Sequence, residues 1–333
     1  MKKNTVFSFI LVALLSACVN SPIPTPGSVH LLTTQVITPT KLSGTNALQG
    51  KILIEEPSGF YIANPDGTGE DLVLPHSDDI YNAALSNDKT RVAYFASGIL
   101  YVKNIKTGEI SQINQAFVGG TAFGMSWSPN DEKIGLDCAP GTTVVTEICL
   151  FTVRDGHLQI LTHAEQFASA NQMISGGGAE FGNWSEDGAQ IVFDNRFFPQ
   201  NSGNAQGRIQ IVNVQTGEVH TVFNELRQGG ISMVVAPVIS PDGKTVLFVG
   251  KYAGKGEIFQ VDADGSGLRQ VTKSSHTYDI TSPVWSPYGN AFFAFTARDG
   301  DPNIIGAPTL YSLDGEVLEQ LNIDFGQVRS WVK

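Results

Sequence analysis

Apolar and polar positions along this chain recur in a fixed order. A bulky residue is followed by a Ser-Pro-Asp-Gly-like turn, an apolar strand, a second strand, a Gly turn and a short last strand. The bulky slot reads MSWSPND at Trp127, GNWSEDG at Trp184, PVWSPYG at Trp285 and VRSWVK at Trp331, so all four tryptophans occupy it. Weaker copies, AALSNDK at Leu85 and VISPDGK at Ile239, fill the gaps. From Leu85 the steps are 42, 57, 55, 46 and 46 residues. A period of ~40–50 residues marks stacked supersecondary units the size of one propeller blade. The first strands after the turn are RVAYFA, KIGLDC, QIVFDN, TVLFVG and AFFAFTA; the second are ILYVKN, ICLFTV, IQIVNV, EIFQVD and TLYSLD. Such runs, rich in Val, Ile, Phe and Tyr and bounded by Gly, Pro and Asp, predict antiparallel meanders. Their nearly continuous apolar character predicts sheets buried on both faces.

The two ends supply the last blade. Residues 51–74 hold KILIEE, GFYIAN and EDLVL, a repeat lacking its slot strand, and residues 326–333 hold a slot strand lacking the rest. The predicted fold is therefore all-β: a six-bladed β-propeller of four-stranded antiparallel blades over residues 50–333, closed by pairing the C-terminal strand into the first blade. Closure removes a sheet edge.

The order W-S-P-D-G-K, strand, I-Y, D-x-D-G, L-T resembles the TolB-type (WD-like) propeller repeat of bacterial envelope proteins. Residues 238–272, VISPDGKTVLFVGKYAGKGEIFQVDADGSGLRQVT, are the cleanest copy, and the resemblance covers roughly residues 49–333. It implies the fold. It does not carry one activity, because a propeller hosts unrelated functions. The chain is expected to lack the separate α/β domain that precedes the propeller in TolB.

The N-terminus reads as a targeting segment. Lys2 and Lys3 form its charged region, and residues 6–15 are apolar but too short to span a membrane. Leu15-Ser16-Ala17-Cys18 looks like the lipobox of bacterial lipoproteins, with the Cys18 thiol as lipid acceptor. Residues 1–17 are then a lipoprotein signal peptide, and residues 18–49, rich in Pro, Thr and Ser, are the lipidated Cys and a flexible tether. Removing Lys2 and Lys3 leaves 19 Lys+Arg against 32 Asp+Glu, a net of −13. That acidity argues against nucleic acid and against a basic membrane-docking face. The lipid would hold the protein at the bilayer. The remaining cysteines, Cys138 and Cys149, sit on consecutive strands of one repeat, and an exported chain favours their pairing.

Chemistry-bearing motifs are few. The Ser86…Lys89 and Ser240…Lys244 pairs lie in the repeated turn and read as turn residues. GKYAGKG at residues 250–256 lacks phosphate-loop spacing. The stretch 262–267, Asp-Ala-Asp-Gly-Ser-Gly, resembles part of a calcium loop without its later bidentate Glu, and an Asx turn is the simpler reading. The six histidines show no ligand spacing. No cofactor and no metal are expected.

The residues that break the repeat lie just before each slot, where one blade passes to the next: Asp79, Tyr81, Asn82, Phe123, Glu180, Phe181, Tyr278, Asp279 and Arg329. They are expected on loops around one mouth of the channel, as a partner-binding rim. The leading expectation is a monomeric, non-catalytic, lipid-anchored propeller in the cell envelope that binds a protein or peptide. A propeller lyase or hydrolase with an acid/base or metal site in the channel is a rival, using Asp79, Glu180 and Asp279. A glycan or small-ligand module using Tyr81, Phe123, Phe181 and Tyr278 is another.

Overall fold

The computed structural model describes residues 48–113, 124–139, 146–163, 178–197, 206–225, 230–273, 278–298, 301–305, 308–321 and 326–333. Phe123 and Cys18 lie outside them. The described chain opens with β1 (Lys51–Glu56), β2 (Gly59–Ala63) and β3 (Asp71–Pro75), three strands of blade 1. Blade 2 is β4 (Ile80–Leu85), β5 (Arg91–Ala96), β6 (Ile99–Asn104) and β7 (Ile110–Gln112); blade 3 is β8 (Met125–Trp127), β9 (Lys133–Cys138), β10 (Glu147–Thr152) and β11 (Leu158–Ile160). Blade 4 is β12 (Gly178–Trp184), β13 (Gln190–Phe197), β14 (Gln206–Asn213) and β15 (Val219–Asn224); blade 5 is β16 (Ile231–Ile239), β17 (Thr245–Tyr252), β18 (Lys255–Asp262) and β19 (Arg269–Gln270). Blade 6 is β20 (Tyr278–Trp285), β21 (Ala291–Arg298), β23 (Thr309–Ser312) and β24 (Val317–Gln320), with an extra strand β22 (Asp301–Ile305) on β21. The chain returns as β25 (Gln327–Val332), which pairs antiparallel with β1 and completes blade 1.

The innermost strands touch one another in the order β4, β8, β12, β16, β20, β25 and back to β4, so the ring is closed. Alternation along each strand sends side chains to two different interfaces. In β5, Ala93 and Phe95 join the core shared with blade 3, while Val92 and Tyr94 join the core shared with blade 1. In β17, Val246 and Phe248 face blade 4, and Leu247 and Val249 face blade 6. Period-two geometry thus explains why the strands read as unbroken apolar runs. Each buried Leu, Val or Phe contributes roughly 1.5–3 kcal/mol relative to exposure, so the interfaces carry the fold.

The slot residue ties each blade to the one before it. The indole N–H of Trp127 donates to Ala84 O at 3.0 Å, that of Trp184 to Ser126 O at 3.4 Å, and that of Trp285 to Val238 O at 3.0 Å. The acceptor is each time the residue preceding the slot of the previous blade. Where the slot lacks an indole, the partner supplies the polar group. Asn183 Oδ1 accepts from Ile239 N at 2.6 Å and its Nδ2 donates to Ile239 O at 3.0 Å; Ser330 Oγ accepts from Leu85 N at 3.2 Å. Trp331 departs from the rule and donates to Gln49 O at 2.8 Å, within its own blade. The approach is close: Gly50 has φ +100°, and a Cβ there would stand 2.0 Å from Val332 O, so only glycine fits beside the closing strand.

The serine after each slot locks its turn. Ser86, Ser185 and Ser240 Oγ each donate to Asp88, Asp187 and Asp242 at 2.6 Å and accept the backbone N–H of Arg91, Gln190 and Thr245 at 3.0 Å. These buried hydroxyls are fully used, as a turn role requires. Cys138 and Cys149 form a disulfide with Cα atoms 5.9 Å apart, inside the bridgeable range. Cys149 stands opposite Leu136, so the bridge runs diagonally across the β9–β10 hairpin.

Candidate functional site

The strand directions define two ends of the ring. The slot residues and their Ser turns form a turn face; the segments that pass from blade to blade form a linker end. The sequence-predicted residues belong to the linker end, but on strands rather than loops. Tyr81 and Asn82 lie in β4, Glu180 and Phe181 in β12, Tyr278 and Asp279 in β20, and Arg329 in β25; only Asp79 lies in a turn, exposed. The innermost strands simply begin earlier than the slot motif suggests.

Two of these residues are core, not rim. Phe181 is 5% exposed and packs between blades 3 and 4, against Gly135, whose missing Cβ leaves room for the ring. The cause is a bulge between Phe181 and Trp184. Residues three apart point to opposite faces of a regular strand, and one extra residue brings both inward. Asn82 is also buried, and its Oδ1 accepts from Ala83 N–H at 2.8 Å.

Two of the charged members, Arg329 and Glu180, are paired. Arg329 holds Glu55 of β1, and both are about a quarter to a third exposed. Glu180 is bound by Arg196 of β13 and stands opposite Asp194 in the β12–β13 ladder. Arg196 Nε lies 3.8 Å from Asp194 Oδ1, and Asp194 Oδ2 accepts from Ala236 N–H of blade 5 at 3.1 Å. Asp137, ten residues past its slot as Asp194 is past its own, accepts from Gly124 N–H at 2.7 Å. Burial pushes the Asp194 carboxyl well above the usual carboxylate range, and the charges of Glu180 and Asp137 push the same way against Arg196 and the Ala236 N–H. Burial also raises Glu180, opposed by Arg196. For Arg196 burial works downward, but Asp194 and Glu180 outweigh it and the guanidinium is held more firmly protonated. A buried cluster of this kind is costly unless mutually paired. Here it fastens blade 4 to blade 5 through Ala236, which adopts φ 51° to present its N–H. Asp194, fully enclosed, is a framework group.

Sequence reasoning missed Asp137, Asp194 and Arg196, although an acid inside KIGLDC and QIVFDN interrupts otherwise apolar runs at one common position. It also missed two apolar groups at the linker end of blade 5. Met233, with φ 52°, is 40% exposed, and Tyr252, at the end of β17, is 47% exposed. Ile231, two residues before Met233, stands opposite Tyr252 in the ladder. Large apolar side chains presented on a rigid sheet end are what a partner surface requires.

The architecture is a six-bladed propeller in which an indole or its substitute clips each blade to its neighbour. No protein-family model matches the chain. It is 31% identical over 109 residues to the Tol-Pal system protein TolB of Xylella fastidiosa (strain Temecula1), a segment covering 32% of this chain and 23% of that protein. The matched segment thus spans about a quarter of that relative's length. The structure of TolB from Acinetobacter baumannii superposes with a TM-score of 0.60 at 19% identity, covering 86% of this chain and 67% of that one. An oligogalacturonate lyase from Vibrio parahaemolyticus superposes with a TM-score of 0.52 at 15% identity, covering 83% and 73%. The fold is similar to that of the TolB propellers; at these identities the structural likeness defines the fold alone.

Proposed function

We propose that this chain is a lipid-anchored, extracytoplasmic propeller that binds a protein or peptide partner at the linker end of its ring. The observation that carries the reading is the exposure of Met233 and Tyr252 at the linker end of blade 5, whose inner strand is tied to Asp194 of blade 4 through the Ala236 N–H. Tyrosine on a rigid support makes a large contact at low entropic cost, as interface anchors do. The Cys138–Cys149 disulfide suits an oxidising compartment, in keeping with the proposed leader over residues 1–17. Similarity to a Tol-Pal system protein supports a protein partner. Asp79, Tyr81, Tyr278 and Asp279 belong to the same proposed rim.

Crosslinking in intact envelopes followed by affinity capture tests the binding reading. Tyr252→Ala and Met233→Ala should reduce recovery of the captured protein by roughly 1–4 kcal/mol equivalent in affinity, with melting unchanged. Equal recovery from wild type and both variants would sink it. Mass spectrometry of the mature N-terminus tests the anchor: a diacylglyceryl-modified Cys18 is expected, and an unmodified residue elsewhere in first position overturns it.

A further inference from the structure

The opposite, turn face holds a cavity of ≈ 690 Å³ between blades 4, 5 and 6. Trp285, Pro287, Tyr288 and Pro241 supply its apolar walls. One side chain reaches in from blade 1. The Lys333 ammonium pairs with Glu186 of blade 4 and stands 6.0 Å from the centroid of the Tyr288 ring of blade 6. Its carbonyl O accepts from Lys89 Nζ of blade 2 at 2.6 Å. Blades 1 and 4 lie opposite each other in a ring of six, so the Lys333–Glu186 contact spans the channel axis.

A carboxylate beside an exposed aromatic face is the pair of groups that holds an alkylammonium. The occupant is loosely held: the Lys333 and Glu186 side chains are 51% and 55% exposed, and ion pairs so placed are worth ~1 kcal/mol or less. With Lys333 withdrawn, Glu186, Asp242 and Asp314 face the cavity. Asp242 is tied to Ser240 and lies 3.8 Å from Lys244, and Arg269 is spent on Gln260 Oε1 at 2.8 Å and Leu313 O at 2.7 Å. Glu186 and Asp314 are thus the acids with no other ion pair among the described residues. We infer that this cavity is a second binding site, which takes a lysine side chain from an extended peptide segment of a partner, and that Lys333 is its internal occupant. The aromatic and proline walls receive the aliphatic stem while Glu186 and Tyr288 receive the head.

The probe is an acetylated, amidated pentapeptide with one central lysine, paired with its norleucine counterpart. Binding to the mature chain is followed by the indole N–H resonance of Trp285, with Trp184 as the internal control. Lys333→Ala should bind the lysine peptide about fivefold more tightly than wild type, the gain from removing a competitor worth ~1 kcal/mol. The norleucine peptide should leave Trp285 unmoved, and Glu186→Gln added to Lys333→Ala should abolish the response. Lys333→Met, which keeps the stem, gives the same readout should the alanine variant melt early. Equal affinity for wild type and both Lys333 variants, or an equal response to norleucine, overturns the inference.

Discussion

Asn183 grips the backbone of Ile239 with both ends of its amide, accepting from N–H at 2.6 Å and donating to C=O at 3.0 Å. It faces Ile239, the slot that lacks a tryptophan, so a side chain of one blade replaces the indole bond of the next. Asn183→Ala leaves two backbone groups between blades 4 and 5 without these partners. Unpaired buried groups cost ~1–3 kcal/mol each, so urea unfolding should show a loss of at least ~1 kcal/mol. A change within ± 0.3 kcal/mol would mean that water replaces the amide and that the clip carries no stability (surface changes are typically smaller than ~0.5 kcal/mol).

Phe181 belongs to the core between blades 3 and 4, and its truncation should behave accordingly. Phe181→Ala is expected to cost about 3–5 kcal/mol of stability, the range for a buried aromatic. The check is a denaturant melt beside Tyr252→Ala, which should melt like wild type. A stable Phe181→Ala protein with impaired partner capture would return this residue to the rim.

Asp194 makes stability depend on pH. Burial pushes its native carboxyl well above the ordinary aspartate value of 3.8, with the charges of Glu180 and Asp137 adding to the effect. The native state therefore binds more protons than the unfolded one between that value and the raised one. Its contribution is full below pH ~4 and is lost as pH climbs through the native value. Asp194→Asn, which stays neutral and keeps an oxygen for Ala236 N–H, removes this term. Relative to the variant, wild type should lose stability as pH rises above ~4 towards the raised native value. A constant difference between the two proteins across that range would show Asp194 to be ionised throughout.

Closure rests on β25. Deleting residues 327–333 removes the innermost strand of blade 1, leaves β1 as an open edge and takes away Trp331, which packs on Phe293. Exposed edges template association. Light scattering should show aggregation of the truncated protein and a lower melting temperature than wild type; unchanged values for both would refute closure through this strand.

How far the sequence could be read follows from where each interaction lies. The strands, the slot and the shared blade were legible because each is written in local order, and RVAYFA and KIGLDC coincide with β5 and β9. The extra β22 was not, because it falls outside the repeat. The linker end was misjudged where the deciding partner is distant in the chain. Arg329 reads as a free base until Glu55, 274 residues away, is seen beside it, and Glu180 reads as a free acid without Arg196. Phe181 misled for a local reason: a bulge changes which face a side chain takes, and no residue type announces it. Met233 and Tyr252 stood out only once their exposure was known.

Gly50 and Trp331 place the entry to the propeller beside its closing strand. Any chain leading into Leu48 reaches the ring at the β1–β25 ladder, with Gln49 O already held by the Trp331 indole. A pull along the channel axis would therefore load the five residue pairs from Lys51↔Val332 to Glu55↔Gln327 together, in shear. Bonds that share a load in this way yield collectively, not one at a time. The seam that closes the ring is thus also the part of the molecule suited to bearing mechanical tension.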